Sequence, residues 1–111
     1  MPRIAKVALE KATYAIDKPY DYLAPEELHL QVGCRVLVPF GRGNRTSEGV
    51  VLALQEAAPA RPLKSIRLNL DQEPLITERE IRLALWMTKR YFCTFYDAIR
   101  TILHNNKKKK K

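Results

Sequence analysis

Pro74 divides the chain into two kinds of apolar pattern, and this change of period constrains the fold more than any other feature. Before it, apolar residues come in short runs broken by glycine and proline. After it, they recur every three or four residues. The first pattern belongs to strands and turns, the second to helices.

In the first part, residues 4–9 (IAKVAL) mix apolar and polar positions as a half-buried strand does. A polar stretch ends at Lys18-Pro19. Tyr20-Asp21-Tyr22-Leu23 reads as a short aromatic strand stopped by Pro25, and residues 26–33 as a connecting loop. Residues 34–40 (CRVLVPF) form a strong strand pattern, with Arg35, Leu37 and Pro39 on one face and Val36, Val38 and Phe40 on the other. Pro39 cannot donate to a ladder, which places it on an edge or at a strand end. Residues 41–45 (GRGNR) are a turn by composition, 49–54 (GVVLAL) the return strand, and 55–62 a loop rich in Ala and Pro. Residues 65–70 alternate Ile66, Leu68 and Leu70 with polar positions, as another strand would.

In the second part, Thr77-Glu78-Arg79-Glu80 is a capping-box pattern and starts a helix. Ile81, Ala84, Leu85 and Thr88 mark its apolar stripe, widened by Trp86 and Met87, and it ends near Tyr91-Phe92. Thr94 caps a second short helix carrying Phe95, Ile99, Ile102 and Leu103. The expected fold class is α+β, mainly β. A small five- to six-stranded barrel-like β part spans 1–75, and a helical part of the same domain spans 76–104. A polar, lysine-rich tail over 105–111 is expected to be unstructured or appended.

The 111 residues suffice for one domain with a modest core. The apolar fraction, 46%, is that of a globular chain, and no run is long enough to span a bilayer. No signal peptide is read at Met1-Pro2-Arg3-Ile4, so the cytoplasm is the expected compartment, with no membrane partner. The formal charge of +8 falls to +3 without Lys107–Lys111, since fifteen basic residues then face twelve acidic ones. Function is therefore not read from the tail. Cys34 and Cys93 form no C-x-x-C, and His29 and His104 have no ligand spacing with them, so no metal site is expected.

No G-x-x-x-x-G-K-[ST] loop occurs, and no nucleophile–His–acid constellation can be read. Glu26-Glu27 and Glu78/Glu80 read as solvated or dipole-facing acids. The chain is not expected to be an enzyme. Tyr20-Asp21-Tyr22 has two readings. Asp21 is either a turn-capping residue between two core tyrosines, which composition alone favours, or an acceptor in a pocket beside an aromatic on which a base stacks. Gly41, Arg42, Gly43, Asn44 and Arg45 are either an ordinary hairpin loop or a phosphate cradle with two guanidiniums, Arg42 and Arg45. Lys64 and Arg67 extend a basic strip or belong to a solvated face. Trp86, Tyr91, Phe92, Phe95 and Tyr96 read mostly as core.

Together these segments resemble one family. Tyr20-Asp21-Tyr22-Leu23-x-Pro25, then Gly33 to Gly41 (GCRVLVPFG), then Gly49-Val50-Val51 are similar to the opening of the PriA-type replication-restart helicases, or primosomal protein N′. Lys64 before an Ile-x-x-Leu pattern, Glu73-Pro74-Leu75 and the long helix ending Trp86 to Tyr91-Phe92 also fit, so the resemblance runs from about Met1 to Leu103. It implies an N-terminal domain that binds the 3′ end of the nascent leading strand at a stalled fork and senses a free 3′-hydroxyl with little base preference. By that resemblance Asp21 accepts a hydrogen bond from the hydroxyl, Tyr20 stacks on the terminal base, Gly41 lets the backbone approach the nucleotide, and Lys64 sits near phosphate. The family often has Phe before the Asp; Tyr20 keeps the stacking ring. The resemblance implies DNA as partner, with other primosome proteins and single-strand-binding protein as further ones. Cofactors are expected only in the helicase parts absent from these residues, namely ATP and zinc. Two other classes stay open: a protein-interaction module for other replication proteins, and a non-specific basic nucleic-acid binder working through its lysines.

Overall fold

A computed structural model describes residues 3–10, 20–41, 43–71, 73–74, 76–91 and 93–109, with side chains up to Leu103. Five strands and two helices follow in order: β1 (Arg3–Leu9), β2 (Tyr20–Leu23), β3 (Arg35–Phe40), β4 (Arg45–Glu56), β5 (Leu68–Asn69), α1 (Glu78–Tyr91) and α2 (Phe95–Lys109). The strands form one sheet in the order β2-β1-β4-β3-β5, and every adjacent pair is antiparallel.

β4 lies at the centre, paired with β1 and β3, and both of its faces are covered, which is why Val50-Val51-Leu52 is a continuous apolar run rather than an alternating one. The strand begins at Arg45, four residues before the expected start, so the turn shortens to 41–44 and Arg45 stands in the ladder opposite Phe40. The β1–β4 register slips between Lys6 and Val7, where Leu52 is the extra residue of a bulge. The slip lets Leu54 join Ala5, Val7 and Val51 on the same face. Gly49 lies against β1: a Cβ there would fall 2.5 Å from Val7 Cγ1 and 2.8 Å from the Ala8 carbonyl oxygen.

The barrel-like expectation holds only loosely, because the sheet is not closed. Residues 65–70 were expected to form a strand, but only Leu68 and Asn69 join the ladder with β3. Ser65 instead makes a parallel bridge to Leu23 of β2. The Leu23 N–H donates to the Lys64 carbonyl at 2.9 Å, and the Ile66 N–H donates back to Leu23 at 3.0 Å. At the very next residue the same segment bonds β3, with the Arg67 N–H on the Leu37 carbonyl at 2.8 Å. The segment changes partner midway, so its alternation cannot hold: Ile66 is buried and Leu68 is 46% exposed. It covers one face of the curled sheet, enclosing a core of Ala5, Val7, Tyr22, Val36, Val38 and Ile66 among others. Pro39 lies in β3 beyond the reach of two-residue β5, as a residue without a donor must.

The other face carries the helices. The Thr77 hydroxyl accepts from the Glu80 N–H at 3.1 Å while the Glu80 carboxylate accepts from the Thr77 N–H at 2.9 Å, the reciprocal bonds expected of the capping box. Thr94 caps α2 through the Asp97 N–H at 3.1 Å. Ile81 and Ala84 of α1 pack with Phe95, Ala98, Ile99 and Ile102 of α2 over Ala8 and Val50. Each large side chain so buried is worth about 1.5–3 kcal/mol. The α1 stripe is narrower than expected: Leu85 is 48% and Trp86 51% exposed, because α2 covers only the Ile81–Ala84 side. Phe95 and Tyr96 are core as expected, whereas Trp86 and Tyr91 meet edge to face in solvent with Arg90 over the indole. The expectation for Phe92 falls outside the described residues. The α2 backbone stays helical to Lys109, past the end expected at 104, so most of the 105–111 tail continues the helix. Among the described residues no helix is long and apolar enough to cross a membrane.

Candidate nucleic-acid interface

β2 presents its residues alternately. Tyr20 and Tyr22 face the enclosed core, where the Tyr20 ring meets Phe40 edge-on at 5.3 Å. The Tyr22 hydroxyl donates to the Pro39 carbonyl at 2.9 Å, tying β2 to the end of β3. Burial, and secondarily the neighbouring Tyr20, push the Tyr22 phenol pKa upward. The aromatic strand and the V-P-F-G strand, far apart in sequence, thus share one end of the core.

Gly41 follows Phe40 with φ +74, a conformation that L side chains rarely adopt, and a Cβ there would meet nothing within 4 Å. The backbone is accordingly open to approach. The Gly41 carbonyl accepts from Lys64 Nζ at 3.4 Å and from the Asn44 N–H at 3.2 Å. Arg67 holds the turn from outside, donating to the Asn44 carbonyl at 3.0 Å and to Thr46 Oγ1 at 2.7 Å. It is therefore engaged in the turn itself.

A groove of about 410 Å³ opens where these pieces meet. Tyr20, Asp21 and Tyr22 form one wall, Phe40 and Gly41 the end, and residues 61–64, including Lys64, the other wall. Four of the six expected site residues, Tyr20, Asp21, Gly41 and Lys64, are brought together here. Arg45 is exposed at the start of β4 and does not line the groove, and Arg42 falls outside the described residues.

Asp21 contributes in two directions. Leu23, two residues on, points its N–H and C=O away from β1, and Ala24 bonds inward to Arg3. Antiparallel alternation therefore directs the Asp21 peptide outward at the open edge, beyond the Leu23–Ser65 bridge. The Asp21 carboxylate lies on the face opposite the tyrosines, with Oδ1 3.2 Å from Lys6 Nζ. Its other oxygen makes no hydrogen bond among the described residues.

Sequence reasoning missed Lys6 and Arg61. Lys6 meets Asp21 only through the β1–β2 register, which no local pattern states. Arg61 lay in a segment legible only as loop. A second cleft, about 290 Å³ between the sheet and α2, balances Glu10 and Glu48 against Arg35 and Arg100 and offers no net attraction to a polyanion. Among the described residues no three His, Cys, Asp or Glu side chains cluster as metal ligands.

Comparison with known proteins matches residues 6–104 to the family model described as the 3′ DNA-binding domain (3′BD) of PriA. The chain is 32% identical over 103 residues to the replication restart protein PriA of Bacillus subtilis (strain 168), covering 89% of the chain and 12% of that protein. To the PriA of Rickettsia conorii it is 34% identical over 101 residues, covering 91% of the chain and 15% of the relative. To that of Haemophilus influenzae it is 36% identical over 75 residues, 68% of the chain and 10% of the relative. The chain thus spans between 10 and 15% of the length of these relatives. With the family model covering nearly all of its β and helical elements, the chain belongs to the PriA 3′ DNA-binding domain family.

Proposed function

We propose that this domain binds the 3′-hydroxyl terminus of a DNA strand in the groove between β2 and residues 61–64. The observation that carries the reading is the convergence of Tyr20, Asp21, Gly41 and Lys64 on that groove. Tyr20 offers a ring to the terminal base, and stacking accepts any base because every base has a π-face. The Gly41 backbone admits the sugar closely, and Lys64 supplies a cation for a phosphate. Asp21 accepts a hydrogen bond from the terminal hydroxyl. A carboxylate repels a terminal phosphate, so the groove discriminates chain ends without reading sequence.

In a PriA-type protein such a pocket would hold the nascent leading strand at a stalled fork and position the helicase for primosome assembly and replication restart. ATP and zinc would belong to other parts of that protein. Other primosome proteins and single-strand-binding protein are candidate partners of the same whole.

Fluorescence anisotropy with short single strands ending in 3′-hydroxyl or 3′-phosphate tests the reading. The 3′-hydroxyl strand should bind more tightly. Asp21→Asn should weaken that binding about tenfold, since a hydrogen bond to a charged group is worth roughly 1.5 kcal/mol or more. Equal binding of both ends would sink the reading and favour the interaction-module alternative, to which the exposed Leu85 and Trp86 of α1 lend support.

A further inference from the structure

Asp21 is paired. Lys6 is its direct cross-strand neighbour in the β1–β2 register, and Nζ lies 3.2 Å from Oδ1. The two side chains are 52% and 37% exposed, so the pair contributes little to folding. It lies where Asp21 borders two spaces at once. On one side is the groove; on the other is a shallow cavity of about 80 Å³ lined by Ile4, Lys6, Asp21, Ala53 and Gln55. Lys6 borders only the second. Its contact with the lining of the groove is through Asp21.

We infer that Lys6 is the positioning residue for chain-end discrimination. By holding Oδ1 it fixes the carboxylate at the groove rim and leaves Oδ2 for the terminal hydroxyl. This rests on the 3′-end reading proposed above. An isolated rim carboxylate would rotate freely and would also repel the strand's own internal phosphodiesters, which lie within a screening length of about 10 Å at 0.1 M salt. A cation on Oδ1 offsets that general repulsion. By charge alone the same cation would also ease the approach of a terminal phosphate, so the discrimination rests on the fixed position of Oδ2, and a fall of the ratio without Lys6 is the mark of that positioning.

The test measures affinity of the full chain for 3′-hydroxyl and 3′-phosphate strands by anisotropy, at a salt concentration that suppresses non-specific binding by the lysine tail, and reads their ratio. Lys6→Met should lower the ratio about two- to fivefold, the size of an exposed ion pair's coupling. Lys6→Arg should retain the ratio. In an Asp21→Asn background, Lys6→Met should change nothing further, since the partner through which it acts is gone. Thermal unfolding of each variant shows that the fold persists. A wild-type preference untouched by Lys6→Met overturns the inference alone. So does an equal effect of Lys6→Met in the Asp21→Asn background, which would mean that Lys6 touches the DNA directly. Equal binding of both ends by the wild type overturns the 3′-end reading and this inference with it.

Discussion

Asp71 and Asp21 put the same carboxylate in opposite surroundings, one buried and one at the rim of the groove. Asp71 is 8% exposed, and Arg35 grips it with both arms of the guanidinium, Nη2 to Oδ1 at 2.9 Å and Nε to Oδ2 at 3.1 Å. The Arg35 N–H adds a third bond at 2.8 Å. The Asp71 bonds raise the Arg35 pKa above its ordinary value, against the opposing effect of burial. Together they clamp the chain just after β5 onto β3. Removing one partner of such a pair strands the other, so Asp71→Ala should destabilise the domain by about 2 kcal/mol in urea unfolding, discounted because Arg35 is partly exposed. Nothing local marks Asp71: it sits after a weak strand, and its partner is 36 residues away. Asp21 stands out in the sequence because a strand disfavours aspartate. Composition alone still favours the turn-capping reading, and the pocket role comes only from the family resemblance.

Among elements, those with local start and stop signals are the ones read well. The capping box at Thr77 needs only residues three apart, and α1 begins where it says. Thr77→Ala should cost about 1 kcal/mol, measurable by thermal unfolding, with the fold unchanged. The hairpin of β3 and β4 is equally local, its glycines standing at positive φ where the turn requires them. Residues 65–70 are the instructive failure. Their alternation is real, yet the segment bonds β2 at one end and β3 at the other, and a strand cannot keep one register against two partners. The helix stripe fails in the same way. Leu85 and Trp86 have the right period, but which side of α1 is covered depends on where α2 returns.

At the scale of the molecule, one sheet separates two cores, and Tyr96 joins the outer one to the sheet. Its phenol donates to the Glu48 carboxylate of β4, while the Arg100 guanidinium lies 5.3 Å from its ring. Burial first, then the Glu48 bond and charge, raise its pKa well above the ordinary phenol value near 10. A phenol with a raised folded pKa contributes stability that is fully present below the unfolded value and is lost as pH rises through the folded one. Stability should therefore hold to about pH 9 and fall above about pH 10 in denaturant titrations. Tyr96→Phe should cost about 1 kcal/mol at neutral pH and flatten part of that alkaline fall. Tyr22, also raised by burial, should retain the rest.

The sequence by itself determined the α+β class, the place where strands give way to helices, the caps, the glycine turn and the residues of the family signature. All of these rest on interactions within a few residues or on a repeating period. Only the tertiary structure decided that the sheet stays open, that Tyr20, Asp21, Gly41 and Lys64 share one groove, and that Asp21 leans on Lys6 while Arg45 stays outside. Those outcomes depend on strand order and register. Each is set by which apolar faces find one another across long stretches of chain, and no spacing along the sequence encodes that.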